Sequence, residues 1–172
     1  MSVDNPLATT GSISTVPKGE VKLYNIFVYE FTDKRLEEFP LDTFTNGNAG
    51  VDLRACIVKP FFLHPNEVKL IDSGLKIKFP TDDYVGFLMP RSGLGHKEGI
   101  VIGNLVGVID ANYTDTIKIS LWNRSEKPVQ INPLDRVAQL VIVPRPAIYF
   151  EKGKVEPDNR RGDKGFGSSG KS

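Results

Sequence analysis

One carboxylate at the end of an aliphatic run is the residue best placed for chemistry. Residues 100–110 read Ile-Val-Ile-Gly-Asn-Leu-Val-Gly-Val-Ile-Asp, and 107–113 read Gly-Val-Ile-Asp-Ala-Asn-Tyr. Two β-branched stretches around a Gly-Asn pair predict a tight hairpin. Bulky aliphatic residues are expected to exclude water around Asp110, which strengthens a carboxylate both as a base and as a partner for a cation. Tyr113, three residues on, sets a flat ring beside it. The same residues also suit a turn or N-cap aspartate next to a core tyrosine.

Four further stretches carry candidate groups. Residues 49–55, Ala-Gly-Val-Asp-Leu-Arg-Ala, place Asp52 inside a strand, where an unpaired carboxylate is costly. Either Arg54, Arg91 or a backbone donor satisfies it, or it anchors the water shell of a metal ion. Residues 89–95, Met-Pro-Arg-Ser-Gly-Leu-Gly, end a strand with Arg91, Ser92 and Gly93 before a short helix. That set suits a phosphate, although a plain turn uses the same residues. Residues 135–141, Asp-Arg-Val-Ala-Gln-Leu-Val, put Arg136 and Gln139 among apolar neighbours. An arginine so placed ordinarily pairs with an acid of its own fold. Residues 165–172 match G-x-x-x-x-G-K-[ST] letter for letter. A P-loop needs a strand before it and a helix after it. Here Pro157, Asn159 and a charged run precede the match and no helix is expected after Ser172, so no P-loop fold is expected. Consecutive small residues there still expose N–H groups to a polyphosphate, with Arg161 and Lys164 adding charge.

The elements that must position these groups read as short strands: 21–31, 51–58, 67–72, 75–79, 85–89, 116–122, 129–131 and 137–143. Residues 75–79 and 116–122 alternate apolar with polar, the mark of a strand with one buried face. Only 92–98 suits a short helix. Strands every 8–12 residues with turn signals between them give an all-β class. The expected division is a flexible polar leader over 1–20, a core over 21–150 and a mobile arm over 151–172. At 172 residues, 40% hydrophobic and 25% charged, the chain is one ordinary globular domain by size and composition. A net charge of +1 gives no global attraction to nucleic acid or membrane. No apolar run approaches membrane-spanning length, and residues 1–20 lack the apolar centre of a signal. The single Cys56, read as a core thiol, fits a reducing, cytoplasmic setting, and His64 and His96 make no credible zinc set with it.

In this order, the five stretches resemble the five motifs of the trimeric all-β dUTPases, from about Glu38 to Gly170. Pro-Arg-Ser-Gly-Leu-Gly-His-Lys-Glu-Gly-Ile-Val-Ile-Gly-Asn-Leu-Val-Gly-Val-Ile-Asp at 90–110 is similar to bacterial-type members. The resemblance implies a distorted, β-clip-like jelly-roll subunit in a homotrimer, with active sites shared between subunits. It implies hydrolysis of dUTP to dUMP and pyrophosphate with Mg2+, which limits uracil in DNA and supplies dUMP for dTTP synthesis. Carried over, Asn104, Val108, Ile109 and the backbone of Lys118 face the uracil, and the Tyr113 ring stacks on the deoxyribose. Asp110 activates the attacking water. Arg91, Ser92, Gly93, Arg136 and Gln139 hold phosphates, and Asp52 serves Mg2+ through water. In the arm, Phe166 with Gly167 caps the base and Arg161 reaches the outermost phosphate.

The chain departs from the family at two positions. Asn112 stands where an acid is usual, and Asp115 where glycine is usual. If Asp115 needed a glycine-type backbone angle, the strain would cost about 1 kcal/mol or more. A dCTP deaminase on the same fold uses a glutamate base near the hairpin, and no glutamate occurs between Gly99 and Ser125. A dUTP-sensing, non-enzymatic protein is the other reading of the same motifs.

Overall fold

The structure, a computed structural model, describes residues 26–41 and 47–155. Among these the chain forms strands β1 (Val28–Phe31), β2 (Val51–Arg54), β3 (Phe61–Leu63), β4 (Val68–Asp72), β5 (Leu75–Lys78) and β6 (Tyr84–Pro90). The short helix α1 (Ser92–Lys97) follows. Then come β7 (Ile100–Ile102), β8 (Gly107–Ile109), β9 (Lys118–Asn123), β10 (Val129–Ile131) and β11 (Arg136–Pro144). The all-β expectation holds.

Two larger sheets carry the architecture, in the orders β2-β11-β6-β8 and β4-β9-β7, all antiparallel. Two-stranded pairs β1-β5 and β10-β3 complete it. The alternation read from sequence fixes which faces turn inward. Leu75 and Ile77 of β5 are buried, and Ile119 and Leu121 of β9 are fully buried. They join Leu53, Leu88, Ile100, Ile102, Ile131, Val137 and Leu140 in one cluster fed by both sheets. Burying side chains of that size contributes about 1.5–3 kcal/mol each.

The hairpin expected at 100–110 does not form. A tight turn is present: the Leu105 N–H donates to the Ile102 carbonyl at 2.9 Å, with Leu105 at φ 65. The strands flanking it do not pair with each other. β7 pairs with β9, β8 pairs with β6, and the turn hands the chain from one sheet to the other. Gly103 makes this crossing possible, because a Cβ there would stand 2.6 Å from Ser120 Oγ. Its N–H donates to the Ser120 carbonyl at 2.7 Å. A Gly-Asn pair specifies the turn locally but not the partner of each strand.

Other boundaries move for similar reasons. The strand read over 51–58 stops at Arg54, because the next two amides leave the sheet. Ala55 donates to the Asp135 carbonyl at 2.8 Å and Cys56 to that of Asp72 at 2.9 Å. Cys56 is half-buried, its Sγ 3.6 Å from Asp33 Oδ2, and burial pushes its thiol up. The Arg35 guanidinium holds the Asp33 carboxyl well below the usual carboxylate range. Asp115 carries no left-handed strain. The described non-glycine residues with positive φ are Asn66, Leu105 and Leu134. Asp115 instead accepts the Thr116 N–H at 2.7 Å on its own side chain. Of the predicted first strand, 21–25 lie outside the described residues, as do all of the leader and most of the arm. Residues 151–155 are exposed.

Asn123 pins the end of β9. Fully buried, it donates to the carbonyls of Leu63 at 2.8 Å and Lys127 at 2.7 Å, and accepts from the Ser125 N–H at 2.9 Å and hydroxyl at 2.7 Å. Truncation strands buried partners that no longer reach water. Asn123→Ala is expected to cost about 2–4 kcal/mol, read as a fall in the urea midpoint at unchanged slope.

Candidate active site

Strand β8 lies at the edge of its sheet. It is hydrogen-bonded to β6 on one side, and its other side pairs with no described strand. The peptide groups along that edge are therefore available to a ligand. At the C-terminal end of β8 opens a cleft of about 230 Å³ lined by Val108, Ile109, Asp110, Tyr113 and Lys118. Asp110 also borders a neighbouring cleft of about 280 Å³ that includes Asn112, Tyr84 and Arg145.

The loop after Asp110 sets the tyrosine. The Tyr113 N–H donates to the Asp110 carbonyl at 3.0 Å, closing a turn, and the Tyr113 hydroxyl donates to the Thr116 carbonyl at 2.8 Å. Both ends of Tyr113 are tied to its own loop, so the ring has a fixed place in the cleft wall. Thr116 went unnoticed in the sequence because its backbone, and not its side chain, makes the contact. Lys118 forms an ion pair with Asp72, and that carboxylate raises the ammonium above its ordinary range.

One expectation needs correction here. Asp110 is exposed on the single chain, and Val108 beside it is 60% exposed, so the water-excluding setting expected for Asp110 is not formed by these residues alone. An edge strand shields only the face and side that its own sheet covers. Asn104, expected to face a base, sits exposed at the crossing turn just before β8. Its Nδ2 lies over Gly107, 3.5 Å from where a Cβ on that glycine would stand.

A second group of predicted residues gathers elsewhere in the same sheet. Asp52 on β2 accepts from Arg91 twice, from Nε at 2.6 Å and a terminal nitrogen at 3.3 Å, and from Arg136 at 3.1 Å. Of the partners left open by the sequence, Arg91 is the one chosen, joined by Arg136. Arg54 instead donates to the Leu134 carbonyl at 2.8 Å and lies 3.6 Å above the Phe39 ring. Gln139, opposite both Asp52 and Met89 in register, donates to the Pro90 carbonyl at 2.9 Å. That bond fixes the point where Arg91 leaves the sheet. Ser92 and Gly93 follow, exposed, at the start of α1. Two guanidiniums sharing one carboxylate leave a net positive, donor-rich corner, the chemistry of an anion site.

The two gatherings do not meet on one chain. Gly86 stands opposite Ile109 and Leu88 opposite Gly107, so Asp110 falls beside Val85 while Arg91 leaves from the far end of β6. Six residues of strand separate them, roughly 20 Å at the usual rise per residue. Arg161, Phe166 and Gly167 lie outside the described residues. Among the described residues no three His, Cys, Asp or Glu side chains are grouped to hold a metal ion, and no helix is long and apolar enough to cross a membrane.

Comparison with known proteins gives consistent matches. The family described as dUTPase matches residues 41–170. The deoxyuridine 5'-triphosphate nucleotidohydrolase of Coxiella burnetii (strain Dugway 5J108-111) is 49% identical over 140 residues, spanning 80% of this chain and 92% of the relative. That of Neisseria meningitidis serogroup C is 46% identical over 138 residues with the same coverage. Among solved structures, a point mutant of the Staphylococcus bacteriophage 80alpha dUTPase with dUpNHpp superposes with a TM-score of 0.69 at 26% identity, covering 86% of this chain and 99% of the other. A point mutant of the phage phi11 enzyme, described with a structural Mg(II) ion, gives 0.62 at 25% identity over 78% and 99%.

Asp52 holds two like charges together, and its role is measurable without any ligand. Asp52→Ala leaves Arg91 and Arg136 facing each other without their shared acceptor. The expected loss is about 1–2 kcal/mol of unfolding free energy, since charged hydrogen bonds at partly exposed groups fall in that range. Raising the salt concentration should recover part of it by screening the two guanidiniums.

Proposed function

The chain belongs to the dUTPase family, and on that footing we propose that it hydrolyses dUTP to dUMP and pyrophosphate, with Asp110 as the general base. The observation that carries this reading is the open edge of β8 ending in Asp110, with Tyr113 held in the same cleft. Peptide N–H and C=O groups along the edge recognise the donor and acceptor pattern of uracil. A cytosine, with its pattern reversed, leaves buried polar groups unpaired, which rejects an analogue far better than a missing methylene does. The Tyr113 ring packs on the deoxyribose and leaves no room for a 2′-hydroxyl.

In the reaction, the Asp110 carboxylate takes a proton from a water molecule whose oxygen attacks the α-phosphorus. The bond from that phosphorus to the bridging oxygen breaks, and pyrophosphate leaves with the electron pair. Arg91, Arg136, Ser92, Gly93 and Gln139 hold the phosphates, and their charge stabilises the leaving group. Mg2+, when bound, would supply charge neutralisation at the triphosphate. Such an ion keeps much of its water and needs no dedicated protein cage. The donor set fits that arrangement: Asp52 has both oxygens facing guanidiniums, which suits contact through the ion's water shell and not direct ligation. Residues 161–172 complete the site as a closing arm, with Phe166 and Gly167 over the base and Arg161 at the outermost phosphate.

The separation of Asp110 from Arg91, roughly 20 Å along β6, supports the further proposal that the site is shared in a homotrimer, one copy supplying the base cleft and another the phosphate corner. Each subunit then offers one base cleft and one phosphate corner, and a closed three-fold ring completes three sites.

Two measurements check this reading. The purified chain is expected to release pyrophosphate from dUTP with Mg2+ and far less from dTTP or dCTP. Asp110→Asn should lower kcat about 10²–10⁴-fold while a non-hydrolysable dUTP analogue binds within a few-fold of wild type. Binding without any pyrophosphate from the unmodified chain would instead make it a dUTP-sensing protein. The second measurement mixes subunits. Arg91→Ala and Asp110→Asn are each expected to be inactive alone, yet co-refolded at equal ratio they should recover about a quarter of wild-type activity, the share of sites drawing both intact groups from neighbouring copies. A mixture as inactive as its parts would show that each chain builds its site alone.

A further inference from the structure

The cleft beside Asp110 has a wall that the proposed reaction leaves unused, the side chain of Lys118. Lys118 opens β9 and stands directly opposite Asp72, the last residue of β4. Opposed residues of an antiparallel pair project to the same face, with Cβ atoms about 4.5–5.5 Å apart. The ammonium accordingly meets the Asp72 carboxylate in an ion pair. The four-carbon stem is held between that contact and the strand, and the residue lines the same cleft as Val108, Ile109 and Tyr113. A lysine stem covers an apolar surface well while its head stays in water.

Resting on the reading that this cleft receives the base of dUTP, we infer that Asp72 is a positioning residue for base recognition. It draws the Lys118 ammonium to the β4 side, so the stem walls the slot and the positive charge stays off the uracil. Both side chains remain well exposed, at 44% for Lys118 and 46% for Asp72, so the pair fixes geometry and contributes little to stability. The groups surrounding the ammonium agree with this assignment. β7, on the other side of β9, pairs only with Leu121 to Asn123 and stops short of Lys118, so it brings no charged group there. The loop contributes Asp115 and the Tyr113 phenol. With Asp72 removed, Asp115 is the carboxylate left in the ammonium's field, and it belongs to the loop that carries Tyr113. The stem then leaves its place along the β4 side of the cleft.

The test is steady-state hydrolysis by the full-length chain and its variants. Asp72→Ala is expected to raise KM for dUTP about two- to fivefold, the span that an exposed ion pair supports, with kcat within about twofold. Discrimination against dCTP should narrow by a similar factor. Asp72→Glu, which keeps the carboxylate, should restore most of the KM. Lys118→Met keeps a stem without a charge to tether, so adding Asp72→Ala to it should change KM no further. An unchanged KM in Asp72→Ala overturns the inference, as does an additive double variant or a uniform fall in kcat for all nucleotides. Failure of the unmodified chain to hydrolyse dUTP would overturn the parent reading and this one with it. Hydrolysis by the unmodified chain with an unmoved KM in Asp72→Ala overturns this one alone.

Discussion

An unpaired strand edge is the constraint from which the rest of this molecule follows. β8 is three residues long and hydrogen-bonded on one side only. An edge of that kind is ordinarily a hazard, since it offers a template to any other extended chain. Proteins blunt such edges by keeping them short, charged or covered. Here the strand is short and ends in Asp110, yet Val108 and Leu105 remain largely exposed. Those exposed aliphatic residues are acceptable if something closes over them. In the proposed function the cover is a nucleobase, whose hydrogen-bonding edge takes the place of a neighbouring strand.

Placing β8 at the edge of the β2-β11-β6-β8 sheet also decides how far it lies from the anion corner. β6 is the ruler between them. Its register with β8 puts Asp110 near one end, and its register with β11 puts Gln139 and Arg91 near the other. No side-chain rotation spans six residues of strand. The separation is therefore a property of the sheet, and a nucleotide that needs both groups has to find them on different copies. The Asp52–Arg91–Arg136 cluster is self-sufficient on one chain, because it has a carboxylate to share. In the proposed homotrimer it would persist before assembly and be recruited afterwards. The cleft at Asp110 is different, being open until a ligand or partner arrives.

What could be read from the sequence follows the range of each interaction. β5 and β9 were legible because alternation is local and one-sided burial leaves a period of two. The turn at Gly103-Asn104 was legible for the same reason, while the pairing of the strands on either side was not. Partner choice depends on Ile100 and Ile102 joining the β9 sheet, a fact written in distant residues. β3 escaped notice because three apolar residues between Pro60 and Pro65 show no period. The candidate site divides likewise. Residue types gave Asp110, Tyr113, Arg91 and Asp52, and the five-motif order joined them into one reading. The Tyr113–Thr116 and Lys118–Asp72 contacts were invisible, one because it uses a backbone acceptor and the other because it crosses two strands 46 residues apart.

The exposure of Asp110 bears on how such a site gains its strength. A carboxylate in bulk water is a weak base, with its lone pairs already solvated. Strengthening it by permanent burial would impose a desolvation penalty on the folded chain at all times. Leaving Asp110 open, beside aliphatic residues that become dry only when covered, postpones that penalty to the moment of binding. The free energy of ligand contact then offsets it, and water is excluded when the phosphorus is in place. In the proposed function the folded chain loses no stability to a site it is not using, and Asp110 gains strength as a base only once it is covered. On this view assembly, closure and basicity are one coupled event, and the short open edge of β8 is the element that couples them.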